Sequence, residues 1–142
     1  MREVTFLEAI RAAIWEEMER DPNVFIIGED IGKMGGAFGV TTGFQERFGF
    51  DRVVDAPISE TAIIGVAIGA AAAGKRAIAE MQFIDFISYG FDQVVNVAAT
   101  YLYRSGGQVS IPIVVRGPSG GYVGGGLYHS QQFEAWFFHV PG

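Results

Sequence analysis

An α/β fold, a mostly parallel sheet covered by helices on both faces, is predicted from three observations. Strand-length apolar runs alternate with stretches of helical periodicity along the chain. The runs are continuous rather than alternating apolar and polar, the mark of strands buried on both faces. Turn residues such as Asp21-Pro22-Asn23 and Gly106-Gly107 separate the segments.

Thr5 and Glu8 have capping-box spacing, and Phe6, Ile10, Ala13, Ile14 and Met18 recur on one face, so residues 5–20 are predicted as an amphipathic helix. Val24 to Ile27 is a buried strand closed by Gly28-Glu29-Asp30. The glycine-rich segment Ile31 to Val40 reads as a loop. A short helix follows near Thr42 to Phe48, with Thr42 and Gln45 at capping-box spacing. Arg52 to Asp55 is the next strand, stopped by Pro57. The helix after it, Thr61 to Ala73, carries no charge. Arg76 to Met81 is a third strand, and Ile87 to Arg104 a long helix with Phe91, Val94, Val95, Ala98 and Leu102 at helical spacing. Ile111 to Val115 is a fourth strand. A glycine-rich loop, Gly117 to Gly126, leads to His129, and a last helix is predicted from Ser130 to Phe138.

The 142 residues make one domain large enough for a real core. Ten basic against 16 acidic residues give a net charge of −6, with no Lys/Arg cluster, which argues against nucleic acid and anionic membranes as partners. Cysteine is absent, which excludes disulfides and thiolate metal sites. The opening residues do not read as an export signal. The uncharged run from Thr61 to Gly74 is shorter than the ~20 residues a membrane helix needs. A soluble intracellular protein is expected. Only 18% of residues are charged, below the usual ~25%. That predicts burial of part of the surface against another chain.

Ligands of parallel sheets bind at the carboxyl ends of the strands. Glu29, Glu60, Gln82 and the loop before His129 all follow strand ends, so they are expected to converge there. Glu60 stands between a strand end and an uncharged helix. It would complement the helix dipole in any event. Partial desolvation there is expected to raise its pKa, which suits a group that exchanges a proton. His129 has a side chain suited to proton transfer near neutrality; His139, in an aromatic terminal stretch, is assigned to packing. Phe83, Phe86, Tyr89 and Phe91 include candidates to stack on a flat ring. The glycine loops lack GxxxxGK[ST] and a clean GxGxxG, and no His/Asp/Glu cluster has transition-metal spacing.

Seven collinear motifs go further: Gly28-Glu-Asp30, Asp55-Ala-Pro-Ile-Ser-Glu60, Ala79-Glu-Met-Gln-Phe83, Phe91-Asp-Gln93, Tyr103-Arg-Ser-Gly-Gly107, Arg116-Gly-Pro118 and Tyr128-His-Ser-Gln131. With them the whole chain resembles the pyrimidine-binding domain of the β subunit of thiamine-diphosphate-dependent 2-oxo acid dehydrogenases, the decarboxylating component of the pyruvate and branched-chain complexes. The resemblance implies that residues 1–142 are that domain and that the family's C-terminal domain is missing from the chain. The sequence stops at Pro141-Gly142 just after a helix, which fits that expectation.

The resemblance also implies roles. Glu60 would hydrogen-bond the cofactor's aminopyrimidine ring, Phe86 would pack on that ring, and Gln82 would line the pocket. Glu29 would support Glu60, and His129 would act in acyl transfer to a lipoyl arm. The backbone at Ile113 would form part of a potassium site. No Gly-Asp-Gly occurs in the chain, so the diphosphate and magnesium would be held by an α subunit. The implied assembly is α2β2, served by the lipoyl domain of an acyltransferase. Its place would be the cytoplasm, or the mitochondrial matrix in a eukaryote. Pyruvate and branched-chain substrates stay open: Leu127-Tyr128-His129 resembles the second type and Phe133-Glu-Ala-Trp136 the first. Two other readings remain, a non-catalytic assembly module of the same fold and a nucleotide-binding domain using the glycine loops.

Overall fold

In a computed structural model, which describes residues 3–142, four strands form one sheet in the order β2-β1-β3-β4, all parallel. The elements are α1 (Phe6–Arg20), β1 (Val24–Glu29), α2 (Phe44–Phe48), β2 (Val53–Ala56), α3 (Glu60–Ala72), β3 (Arg76–Glu80), α4 (Ile87–Asp92), α5 (Ala99–Arg104), β4 (Ile113–Arg116) and α6 (Glu134–Phe137).

β1 is central and all six of its residues are buried. Successive side chains of a strand point to opposite faces. Phe25 and Ile27 therefore join Ala77, Ala79, Ile63, Ile64, Ala67 and Ile68 on one face, under α3. Val24 and Ile26 join Val53, Ile14, Met18 and Phe44 on the other, under α1 and α2. Helices thus cover both faces, as the continuous apolar runs require.

α1 starts at the predicted box: Thr5 Oγ1 accepts from the Glu8 N–H at 3.2 Å and Glu8 Oε2 from the Thr5 N–H at 2.8 Å. Arg52 closes its other end, donating to the carbonyls of Met18, Asp21 and Val24.

Three expected elements differ. The box expected at Thr42 and Gln45 does not form. Gly43, at φ 78°, is the N-cap of α2, Thr42 Oγ1 donates to the Gly39 carbonyl, and Gln45 Nε2 donates to the Val53 carbonyl. The helix from Ile87 to Arg104 is continuous but not uniform: Gln93–Ala98 is a π-helical stretch between α4 and α5. The helix predicted from Ser130 shrinks to α6. The groups that would start it are engaged elsewhere: Ser130 Oγ accepts from the Gly125 N–H, and the Gln131 N–H donates to Asp85. Among the described residues no helix is long and apolar enough to cross a membrane.

Gly28 lets β1 and β3 close tightly. A Cβ there would lie 2.8 Å from the Glu80 carbonyl oxygen and 2.9 Å from Glu80 Cβ. Both are held by the sheet, so neither swings away as a side-chain tip would. Gly28→Ala is expected to cost about 1–3 kcal/mol, the scale of core overpacking, read as a lower midpoint of urea unfolding.

Candidate active site

Parallel strands bring their carboxyl ends to one edge, and the register pairs Glu29 with Ala56, Gly28 with Glu80, and Glu80 with Arg116. Glu29 ends β1 and is buried. Its Oε1 accepts the backbone N–H of Ser59 at 3.3 Å. Ser59 is the N-cap of α3 and Glu60 its first residue. One hydrogen bond therefore ties the end of β1 to the start of α3 and places two carboxyl groups side by side.

Glu29 is the more deeply buried of the two. Glu60 is only half-buried. It is the first residue of α3, while Glu29 is the last residue of β1. Burial pushes the Glu29 carboxyl above its ordinary value, the nearby Glu60 pushes it further, and the Ser59 N–H opposes both.

A stability prediction follows from the sign. A carboxyl that holds its proton more tightly when folded contributes stability that falls as pH rises from its ordinary 4.5 through its folded pKa. The cost is present in full only above that folded pKa. Glu29→Gln keeps an oxygen for the Ser59 N–H and removes the charge. It is expected to raise stability above that folded pKa, with the difference from wild type closing as pH falls toward 4.5. Melting temperature against pH for both proteins checks it.

Gln82 lies two residues past β3, and its Nε2 donates to Asp30 Oδ2 at 3.1 Å, so it joins the residue that follows Glu29. Asp30 has φ 55°, in the left-handed region. Backbone in that region outside glycine gathers at functional sites. The chain then turns through Ile84–Phe86 into α4, which packs on the first turn of α3; Thr61 Oγ1 donates to the Tyr89 carbonyl there.

Phe86 and His129 do meet. Their rings are 5.5 Å apart at 77°, and Phe83 stacks on His129 at 4.2 Å and 32°. His129 Nδ1 is buried without a hydrogen-bond partner among the described residues. The histidine loop wraps closely, since a Cβ on Gly125 would fall 2.4 Å from His129 Cβ.

The six expected residues thus divide. Glu29, Glu60, Gln82, Phe86 and His129 all follow the carboxyl ends of strands, in two contact groups joined by the 80–86 segment. Ile113 does not belong with them. It begins β4, paired with Ala77, at the opposite end of the sheet. A cavity of about 1140 Å3, lined by Leu7, Ile113, Val115, Phe133 and Phe137 among others, includes none of the five. It is largely apolar, although Arg116 and Glu134 also line it, and no histidine does.

Sequence reasoning missed three residues at this edge. Buried Glu80 and half-buried Arg116 form an ion pair across β3 and β4. Asp85 is buried, with Oδ1 accepting the Gln131 N–H at 3.2 Å. A lone acid inside Phe83-Ile-Asp-Phe86 was the available signal, because isolated charges in apolar runs are either exposed or specifically paired.

The arrangement fits one half of an aminopyrimidine cofactor. It offers a carboxyl group at a helix start, an aromatic wall, and a buried imidazole nitrogen with unused hydrogen-bonding capacity. Among the described residues it offers no cationic cradle for a diphosphate, and no group of three His, Cys, Asp or Glu is placed to hold a metal ion.

Comparison with known proteins agrees with this reading of the fold. Residues 2–142 match the family of the transketolase pyrimidine-binding domain. All of the chain is 53% identical to a 2-oxoisovalerate dehydrogenase subunit beta of Bacillus subtilis, covering 43% of that protein. Over 99% of its length it is 46% identical to the mitochondrial pyruvate dehydrogenase E1 component subunit beta of Bos taurus, covering 39% of it. A pyruvate dehydrogenase E1 component subunit beta of Chaetosphaeridium globosum is 47% identical over all of the chain and 44% of its own length. The chain therefore spans about two fifths of the length of these relatives.

Proposed function

The chain belongs to the family of the transketolase pyrimidine-binding domain, and from that premise we propose that it serves as the β-subunit half of a 2-oxo acid dehydrogenase active site. The substrate class is pyruvate or a branched-chain 2-oxo acid. The observation that carries the proposal is that the Glu29–Ser59–Glu60 junction and the Phe83–Phe86–His129 ring group both follow carboxyl ends of the parallel strands, with no cationic cradle for a diphosphate among the described residues. An α subunit would supply that site together with magnesium, in an α2β2 assembly that passes its acyl product to a lipoyl domain. Potassium at the Ile113 backbone would be a separate, structural site. The compartment would be the cytoplasm, or the mitochondrial matrix in a eukaryote.

Thiamine diphosphate, when bound, supplies the electron sink for loss of carbon dioxide. The chain's own residues would do the rest. Glu60 hydrogen-bonds a ring nitrogen of the aminopyrimidine and holds a proton there. Glu29 keeps its own proton to higher pH and so limits like-charge repulsion behind Glu60. Phe86 and Phe83 exclude water and orient the ring. Gln82, held by Asp30, lines the pocket. His129 moves a proton when the acyl group is transferred.

The test is reconstitution with an α subunit, thiamine diphosphate and magnesium, following 2-oxo acid decarboxylation with an artificial electron acceptor. Turnover that requires both chains supports the proposal. Assembly without turnover would make the chain a structural module instead.

A further inference from the structure

Two buried polar atoms of the described residues lack a hydrogen-bond partner: Asp85 Oδ2 and His129 Nδ1. They sit on two segments that are already fastened together. Asp85 Oδ1 accepts the Gln131 N–H at 3.2 Å, two residues beyond His129. The Ile84 N–H donates to the Pro118 carbonyl at 3.0 Å, fixing the start of the histidine loop to the same turn. The His129 ring lies against Phe83 and Phe86, the residues that flank Ile84 and Asp85.

Leaving a buried acceptor unmet is costly, and more so when it is charged. The two orphans answer each other chemically. An ionised carboxylate only accepts, and a neutral imidazole has one donating nitrogen. A bond between them therefore requires the proton on Nδ1 and leaves Nε2 with a free lone pair.

Resting on the function proposed above, we propose that Asp85 is a positioning residue for His129. It anchors the histidine loop through Gln131 with one oxygen. Its other oxygen, unbonded in this structure, accepts a hydrogen bond from the Nδ1–H of His129 once the side chains turn toward each other in the assembled protein, fixing the tautomer in which Nε2 is the proton acceptor. A carboxylate that orients a histidine in this way sets both ring angle and tautomer.

Asp85→Asn separates this role from a structural one. The amide oxygen still accepts the Gln131 N–H, while the amide nitrogen now donates toward Nδ1. In the assembled protein, 15N shifts of selectively labelled histidine are expected to report Nδ1–H at His129 in wild type and Nε2–H in the variant. The His129 signals are assigned by difference from His129→Gln. Acyl transfer to a lipoyl carrier is expected to fall at least about tenfold more than decarboxylation with an artificial acceptor. Asp85→Glu, which restores an acceptor, should recover part of that difference. An unchanged tautomer in Asp85→Asn, or an Nε2–H histidine in wild type, would overturn the inference. So would equal loss of both activities. Wild-type protein with no 2-oxo acid turnover would instead refute the proposed function, and the tautomer readout would then decide alone for or against Asp85.

Discussion

Glu60→Gln is expected to lower turnover of the assembled enzyme by about 10²- to 10⁴-fold, the range for loss of a positioned acid–base group. Gln matches Glu in size, so Phe86, Gln82 and the α3 start stay in place. An amide cannot hold and release a proton at a ring nitrogen. The fold should hardly notice. A glutamate in the first helical turn is worth about 0.3–1 kcal/mol against the helix dipole, and its removal also relieves repulsion on the buried Glu29. These effects oppose each other. Melting temperature should therefore move by a few degrees at most while the rate collapses. Rate assays and thermal melts on the same preparation check both halves.

Arg116→Met has the largest expected effect on stability. Arg116 and Glu80 end β4 and β3, and Glu80 is buried. Burial raises the Glu80 carboxyl above its ordinary value, and the charge and hydrogen bond of Arg116 only partly restore it. The pair is thus no net source of stability, yet breaking it is costly. A lone buried carboxylate destabilises by about 3–5 kcal/mol.

The sign with pH is set by Glu80. Without Arg116 its carboxyl rises further, so the penalty is complete above that folded pKa and shrinks as pH falls toward 4.5. Replacing both partners, Glu80→Leu with Arg116→Met, is expected to recover most of the loss, because no charge is then buried. Urea unfolding of the single and double variants at pH 7 and pH 5 would decide it. A double variant as unstable as the single would show that packing, not charge, was lost.

The sheet was legible because strand burial is written directly in continuous apolar runs. Val24 to Ile27 needed no long-range information, and neither did the Thr5–Glu8 box, whose partners are three residues apart. Elements that failed depended on partners distant in sequence. Ser130 to Phe133 could not be seen to leave the helix, because the group that takes the Gln131 N–H lies 46 residues away. The π stretch from Gln93 to Ala98 has ordinary helical composition and no local mark. At the site, strand ends located Glu29, Glu60 and Gln82 correctly at one edge. The Ser59–Glu29 bond that ties the elements of the two glutamates together was not legible, being a contact across 30 residues. Asp85 and Arg116 were passed over for the same reason: their partners come from other strands and loops.

The central claim is that Glu60 meets the pyrimidine ring of a cofactor whose diphosphate is held by another chain. A crystal structure of the α-subunit complex with thiamine diphosphate and magnesium tests it most directly. The account predicts a Glu60 carboxyl oxygen about 2.7–3.2 Å from a ring nitrogen, with Phe86 against the ring and the metal on the partner. A cofactor bound without Glu60 in reach, or bound wholly by this chain, would contradict it.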